Sequence, residues 1–209
     1  MKVQRRDVID TALALLDEVG LEGLTMRRLA QALKIQAPSL YWHFPNKQAL
    51  LDAMADAMLD GVALPDDTLA WDAWLQAALT EFRHALKARR DGARVFAGTF
   101  LVTENVLRIG DRAVGRLRAA GADERTAVRA LFTLQYFVLG FTIEEQAAAP
   151  ASEGVDLSGL AQRIAEDQAA RYPNGAAVVG ILAADDDGER FRFGLDRLID
   201  GLRSVIPAG

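Results

Sequence analysis

Within the run Ser39-Leu40-Tyr41-Trp42-His43-Phe44, a hydroxyl, a phenol, an indole and an imidazole stand beside two large apolar side chains. Leu40 and Phe44 are four residues apart, the spacing of one helix face, so both can turn inward together. Ala37, Pro38, Ser39, Tyr41, Trp42 and His43 are then left on the outside. Ser39, Tyr41 and His43 can each donate a hydrogen bond to a phosphate oxygen, and Lys47 adds charge at the start of the next helix. Arg27 offers the planar fork that grips a guanine edge bidentately, while Ala37 and Pro38 can touch thymine methyl groups. The plainer alternative is that Tyr41 and Trp42 only cover a small core. Two adjacent aromatics on a solvent face, however, carry a solubility cost that a bound partner removes.

A second constellation, Glu81-Phe82-Arg83-His84, contains the Glu-x-x-His unit that holds iron in helical carboxylate enzymes. Those sites need two such units and two further Glu. The only other imidazole, His43, lies in the N-terminal segment, so an iron-carboxylate enzyme is the weaker alternative. With no cysteine, thiolate zinc sites and cysteine nucleophiles are excluded, and the composition suits a reducing compartment. Neither a phosphate loop nor a G-x-S-x-G, H-E-x-x-H or dinucleotide fingerprint is present. No catalytic residue, metal-ligand set or cofactor is assigned.

The elements that must position these residues are helical. Val8, Ile9, Ala12, Leu15, Leu16 and Val19 recur at three- and four-residue steps, and the helix they define stops at Gly20. Thr25 is placed to cap a second helix through Leu33, and Pro38 sits near the first turn of a third, Ala37 to Phe44. Three short helices, the last two joined by a tight turn, form a helix-turn-helix layout whose third helix enters a major groove. Asn46 caps a fourth helix, expected from Lys47 to about Ala63. Helices are further expected from Trp71 to about Arg89, from Ala93 with an interruption at Gly110, and from Asp123 to Gln146. A loop over 149–159 follows, then a helix to Arg171, a short apolar helix after Pro173-Asn174-Gly175, and a last one over about Gly188–Ile206. The fold class is all-α, with a head over residues 1–47 and a body over 48–209.

Charge divides along the same line. The net charge is −5, yet residues 1–47 hold seven Lys or Arg against five acids, leaving 17 bases and 24 acids in the body. A mildly cationic head on an anionic body is what results when only one end meets a polyanion. The longest apolar runs, Ala130–Ile143 and Gly175–Ala184, fall short of the roughly 20 residues that span a bilayer. No membrane contact and a cytoplasmic location are expected.

The stretch from Gly20 to Ala30, followed by Ser39-Leu40-Tyr41-Trp42-His43-Phe44-Pro45-Asn46-Lys47-Gln48-Ala49-Leu50-Leu51, resembles the head of TetR-family repressors. Arg90-Asp91-Gly92-Ala93-Arg94-Val95, Leu139-Gly140-Phe141 and Glu144-Glu145-Gln146 are similar to the body of the tetracycline-repressor branch of that family. The resemblance implies a homodimer joined through a four-helix bundle, with the Asp123–Gln146 and Gly188–Ile206 helices of each chain as candidates. It also implies a palindromic double-stranded operator released when a small inducer enters the body. The candidate DNA-binding set is Thr25, Arg27, Arg28, Ala37, Pro38, Ser39, Tyr41, Trp42, His43 and Lys47. Two positions depart from the pattern. Lys34 stands where the family usually has Gly, and Ala37 stands where the tetracycline-binding branch has a base-reading Gln.

For the inducer, the resemblance points to Ala63, Ala78, Phe82, Phe96, Thr99, Phe100, Val128, Leu131, Gln135 and Glu144. Ala63, Ala78, Phe96 and Phe100 replace polar residues of that branch, among them the imidazole that holds magnesium. Metal binding through Glu144, Thr99 and water alone is poor. The expected effector is therefore a flat hydrophobic molecule oriented by Thr99, Gln135 or Glu144, with magnesium–tetracycline as the alternative.

Overall fold

The protein is described by a computed structural model over residues 3–99, 102–152, 156–184 and 186–206. Among these residues every regular element is an α-helix. The head comprises α1 (Arg5–Gly23), α2 (Met26–Ala32) and α3 (Ala37–Tyr41), and α4 (Lys47–Ala57) leads out of it. The body comprises α5 (Trp71–Lys87), α6 (Gly92–Ala97), α7 (Glu104–Ala119), α8 (Glu124–Ser152), α9 (Leu157–Gln168), α10 (Pro173–Ala184) and α11 (Asp187–Arg203).

The head closes around the apolar stripe of α1. Val8, Ala12, Leu13 and Leu16 are buried with Leu29 of α2, Leu40 and Phe44 at α3, and Leu50 and Met54 of α4. The expected caps are present: the Thr25 hydroxyl accepts from Arg28 N–H, and Asn46 Oδ1 accepts from Ala49 N–H at 2.8 Å. Lys34 makes the turn between α2 and α3 in the left-handed region, φ 55°. The third helix ends sooner than its periodicity predicts. His43 and Phe44 both donate to Leu40 O, tightening the chain ahead of Pro45, which disfavours helix at the residue before it.

Three further boundaries differ from expectation. α4 stops at Ala57, because Leu59, Asp60 and Val62 each donate three residues back, a pattern that tightens the last turns. α6 ends at Ala97 and α7 begins at Glu104, so the break in the helix expected from Ala93 falls ahead of Gly110, through which α7 runs; a Cβ at Gly110 would meet Leu131 Cδ2 of α8 at 3.9 Å, an ordinary contact. α8 continues to Ser152, into the segment expected as a loop, of which residues 153–155 lie outside the described set.

α5 and α8 carry the body core, with Trp74, Leu75, Leu86, Leu134 and Val138 buried beside Phe191 and Leu195 of α11. A charged cluster lies inside this apolar layer. Arg83 Nε and Nη2 donate to Glu145 at 3.0 and 2.6 Å, Lys87 pairs with the same carboxylate, and Arg83 sits 4.6 Å over the Phe191 ring. Farther along, the Arg203 guanidinium of α11 hydrogen-bonds Asp72 of α5 and holds its carboxyl below the usual range.

Head and body meet at an elbow between α5 and α6. Asp91 there has φ 55°, and a Cβ at Gly92 would fall 2.2 Å from Leu86 O, which only glycine avoids. Gln146 of α8 braces the bend, accepting from Ala93 N–H and donating to Leu86 O and Arg89 O. From the head, Asp17 takes Arg89 Nη1 at 2.7 Å and Arg90 N–H at 3.0 Å, while Glu22 pairs with Arg94. Gly20, φ 70°, turns the end of α1 so that Leu21 N–H donates to Asp91 at 2.8 Å.

α8 is apolar on two sides. By length and composition Glu124–Ala148 could cross a membrane, more than the shorter run read from the sequence allowed. One side is the core just described. The other presents Val128, Phe132 and Tyr136 at four-residue steps, all exposed, with the Phe132 and Tyr136 rings 5.8 Å apart.

Candidate nucleic-acid interface and effector residues

At the end of the head, α3 divides as its residue spacing predicts. Leu40 and Phe44 are fully buried, Tyr41 is 52% exposed and Trp42 91% exposed. Pro38 and Ser39 are exposed, whereas Ala37 and His43 are half-buried. Arg5 fixes the C-terminal end of this surface by donating to His43 O at 2.9 Å and lying 4.2 Å over the Phe44 ring. The outward rings therefore stand on a braced base.

The cations of the head are unequally available. Arg6 is tied to Asp10 and Asp60, which raise its pKa. Arg28 donates to Gly23 O at 3.2 Å, and Lys47 to Leu21 O at 3.3 Å, so both stitch the turn after α1. Thr25 likewise serves as a cap. Among the described residues no hydrogen bond or ion pair engages the exposed Arg27 or Lys34 side chains. Charge free to meet a polyanion thus lies at α2 and the following turn, beside the Tyr41 surface.

In the body, the structure brings together three of the candidate ligand residues. Phe82 of α5 and Phe96 of α6 are buried and meet edge to face with centroids 5.1 Å apart, and Thr99 Oγ1 donates to Phe96 O at 2.6 Å. Ala78 is buried one turn before Phe82. Leu131 and Gln135 are half-buried on α8, Leu131 against Gly110. Ala63 and Glu144 are exposed, and Val128 belongs to the outward stripe of α8. Phe100 lies outside the described residues.

Glu81 and His84 pair with each other at 3.3 Å on the exposed face of α5, and among the described residues no three metal-binding side chains gather. The sequence reading did not single out Arg83, Lys87 and Glu145. Their signal was Arg83 and Lys87 one turn apart on a helix otherwise apolar on that side, an arrangement that needs an acid from elsewhere.

Comparison with known proteins follows the same division. Residues 8–54 match the family model described as bacterial regulatory proteins, tetR family, and residues 64–206 match the tetracyclin repressor-like C-terminal domain. The class A tetracycline repressor protein from transposon 1721 of Escherichia coli is 40% identical over 206 residues, covering 96% of this chain and 91% of the relative. A solved structure of a possible TetR family transcriptional regulator from Streptomyces coelicolor A3(2) is 44% identical, with TM-score 0.86 over 97% of this chain and all of that one. The Streptomyces coelicolor TetR family protein ActR, in complex with (S)-DNPA, also has TM-score 0.86, at 28% identity over 98% of each chain.

Proposed function

The chain belongs to the TetR family of bacterial regulatory proteins, and from that premise we propose how it works as a ligand-responsive transcriptional repressor. The head, residues 1–47, reads the operator, and the body, residues 48–209, pairs the subunits and receives the effector in the cytoplasm. α8 and α11 form the dimer bundle; the exposed Val128, Phe132 and Tyr136 stripe and the exposed Phe193 of α11 support this, since a lone chain would leave them in water. A two-fold axis then presents two heads to a palindrome, with half-sites about 34–36 Å apart.

The observation that carries the reading is the split of α3, with Leu40 and Phe44 inside and Tyr41 and Trp42 outside. Tyr41, Ser39 and His43 contact phosphates, Lys47 holds the turn after α1 beside them, Arg27 reads a guanine edge, and Ala37 and Pro38 meet thymine methyl groups. Titration of the protein with duplexes from upstream of its own gene tests this. Affinity falls steeply with added salt, and Tyr41→Ala removes binding while the dimer stays folded. Unchanged affinity in that variant overturns the assignment.

The effector is a flat hydrophobic molecule received beside Phe82, Phe96 and Thr99. The replacement of metal-holding and polar positions by Phe96 and Ala78 supports it over magnesium–tetracycline, although curated relatives such as the class A protein are tetracycline repressors. A switch from 1:99 to 99:1 needs a preference of about 5.5 kcal/mol for one state, within reach of a few hundred Å² of apolar contact made in that state alone. Aromatic hydrophobes raise the melting temperature, and a tight magnesium-dependent tetracycline complex would show the effector class to be wrong.

A further inference from the structure

A cavity of about 320 Å³ lies at the junction of head and body, against the face of α5 that carries Glu81, His84 and Ala85. Its floor is apolar, built from Leu13 of α1, Met58 and Val62 after α4, and Ala85 of α5. Its rim is polar and graded. Glu81 and Arg89 stand at its two ends, eight residues or about 12 Å apart along the helix, with His84 between them. The volume is in the range of small-molecule sites, and an apolar floor with a few placed polar groups is their usual make-up.

The charges select the occupant. Glu81 is engaged by His84, which leaves the acidic end of the rim satisfied. At the other end, Arg89 bonds Asp17 through Nη1, and among the described residues no bond engages its Nε or Nη2 donors. Asp17 has a second donor in Arg90 N–H, so it stays partnered if Arg89 shares its guanidinium. We infer that this junction cavity is a second ligand site, taking an elongated molecule with an apolar body and one carboxylate, the carboxylate seated on Arg89. This orientation keeps the anion far from Glu81 and lays the body on Leu13, Met58 and Val62. Because Arg89 also holds Asp17 of α1, an occupant competes for the contact that clips the head to the α5–α6 elbow. The site thus bears on operator affinity independently of the effector site proposed beside Phe82 and Phe96.

Gly61 makes the test clean. It lines the cavity, its backbone is not left-handed, and a Cβ there meets nothing within 4 Å, so a larger side chain fills the space without displacing the fold. The probe is 2-naphthylacetate, with neutral 2-naphthylethanol as its uncharged match, added to the full-length protein carrying labelled methionine methyl groups. The Met58 methyl resonance is expected to move with 2-naphthylacetate. Gly61→Leu weakens that binding about tenfold or more. Arg89→Gln weakens the acid by about tenfold, as loss of a charge-assisted bond does, and leaves the alcohol unchanged. If Gly61→Leu fails to fold, Ala88→Leu, at the exposed end of α5 on the same cavity, serves in its place. No Met58 shift, or acid binding indifferent to both variants, overturns the junction site and leaves the effector site proposed beside Phe82 and Phe96 standing.

Discussion

Trp42 and Trp74 are the same side chain put to opposite uses. Trp42, at the end of α3, is 91% exposed, whereas Trp74 in α5 is fully buried and donates its indole N–H to Pro65 O at 3.0 Å. The head is a small core whose outer surface is left incomplete, ready for a duplex. The body is a thick core that completes itself with apolar packing, a buried ion cluster and polar clips. Substitutions on the outer surface of the head therefore change binding and spare the fold, and those in the core of the body do the reverse.

The sharpest break of that contrast comes from the tryptophans themselves. Trp74→Ala is expected to cost about 3–5 kcal/mol, read as a large drop in melting temperature, because it leaves a cavity and an unpaired Pro65 carbonyl. Trp42→Ala stays within about 0.5 kcal/mol of the parent in the same melt. A severe loss of stability in Trp42→Ala would mean that the ring is needed by the core. Glu145→Gln comes next. It strips the charge that Arg83 and Lys87 share, and about 3 kcal/mol of stability is lost in denaturant titration, with operator contacts untouched. In the head, Arg27→Ala lowers operator affinity by about 1–3 kcal/mol and relaxes preference at one base pair, with an unaltered melt. A uniform loss across all operator variants would reassign Arg27 to phosphate contact. Smaller than these losses is the change at Lys34, held at φ 55°. Lys34→Gly relieves the left-handed strain and is expected to stabilise by about 0.5–1 kcal/mol in the same denaturant titration.

What could be read beforehand follows the reach of the interactions. The split of α3 depends on Leu40 and Phe44 being one turn apart, and the caps at Thr25, Asn46 and Asp123 act within three residues. Such local relations are visible in a string of letters. Glu144 and Glu145 are adjacent and chemically equal, so which carboxylate turns inward depends on Arg83, sixty-two residues away on α5. Gly110 suggests an interruption because glycine weakens an isolated helix; the burial of Ala113 and Leu117 in the same helix overrides that preference. Likeness to relatives places Val128 at the ligand, and on this chain it stands at the start of the exposed Phe132 and Tyr136 stripe. α4 was drawn too long for the same reason, since nothing local announces the tightened turns after Ala57.

The outward stripe of α8 also has a genetic consequence. A chain whose Tyr41 surface is disabled still carries Val128, Phe132 and Tyr136 intact, so through the bundle proposed above it is expected still to recruit a healthy copy. In a cell that makes both versions, mixed pairs with a single working head outnumber good ones, and the defect is inherited as a dominant trait.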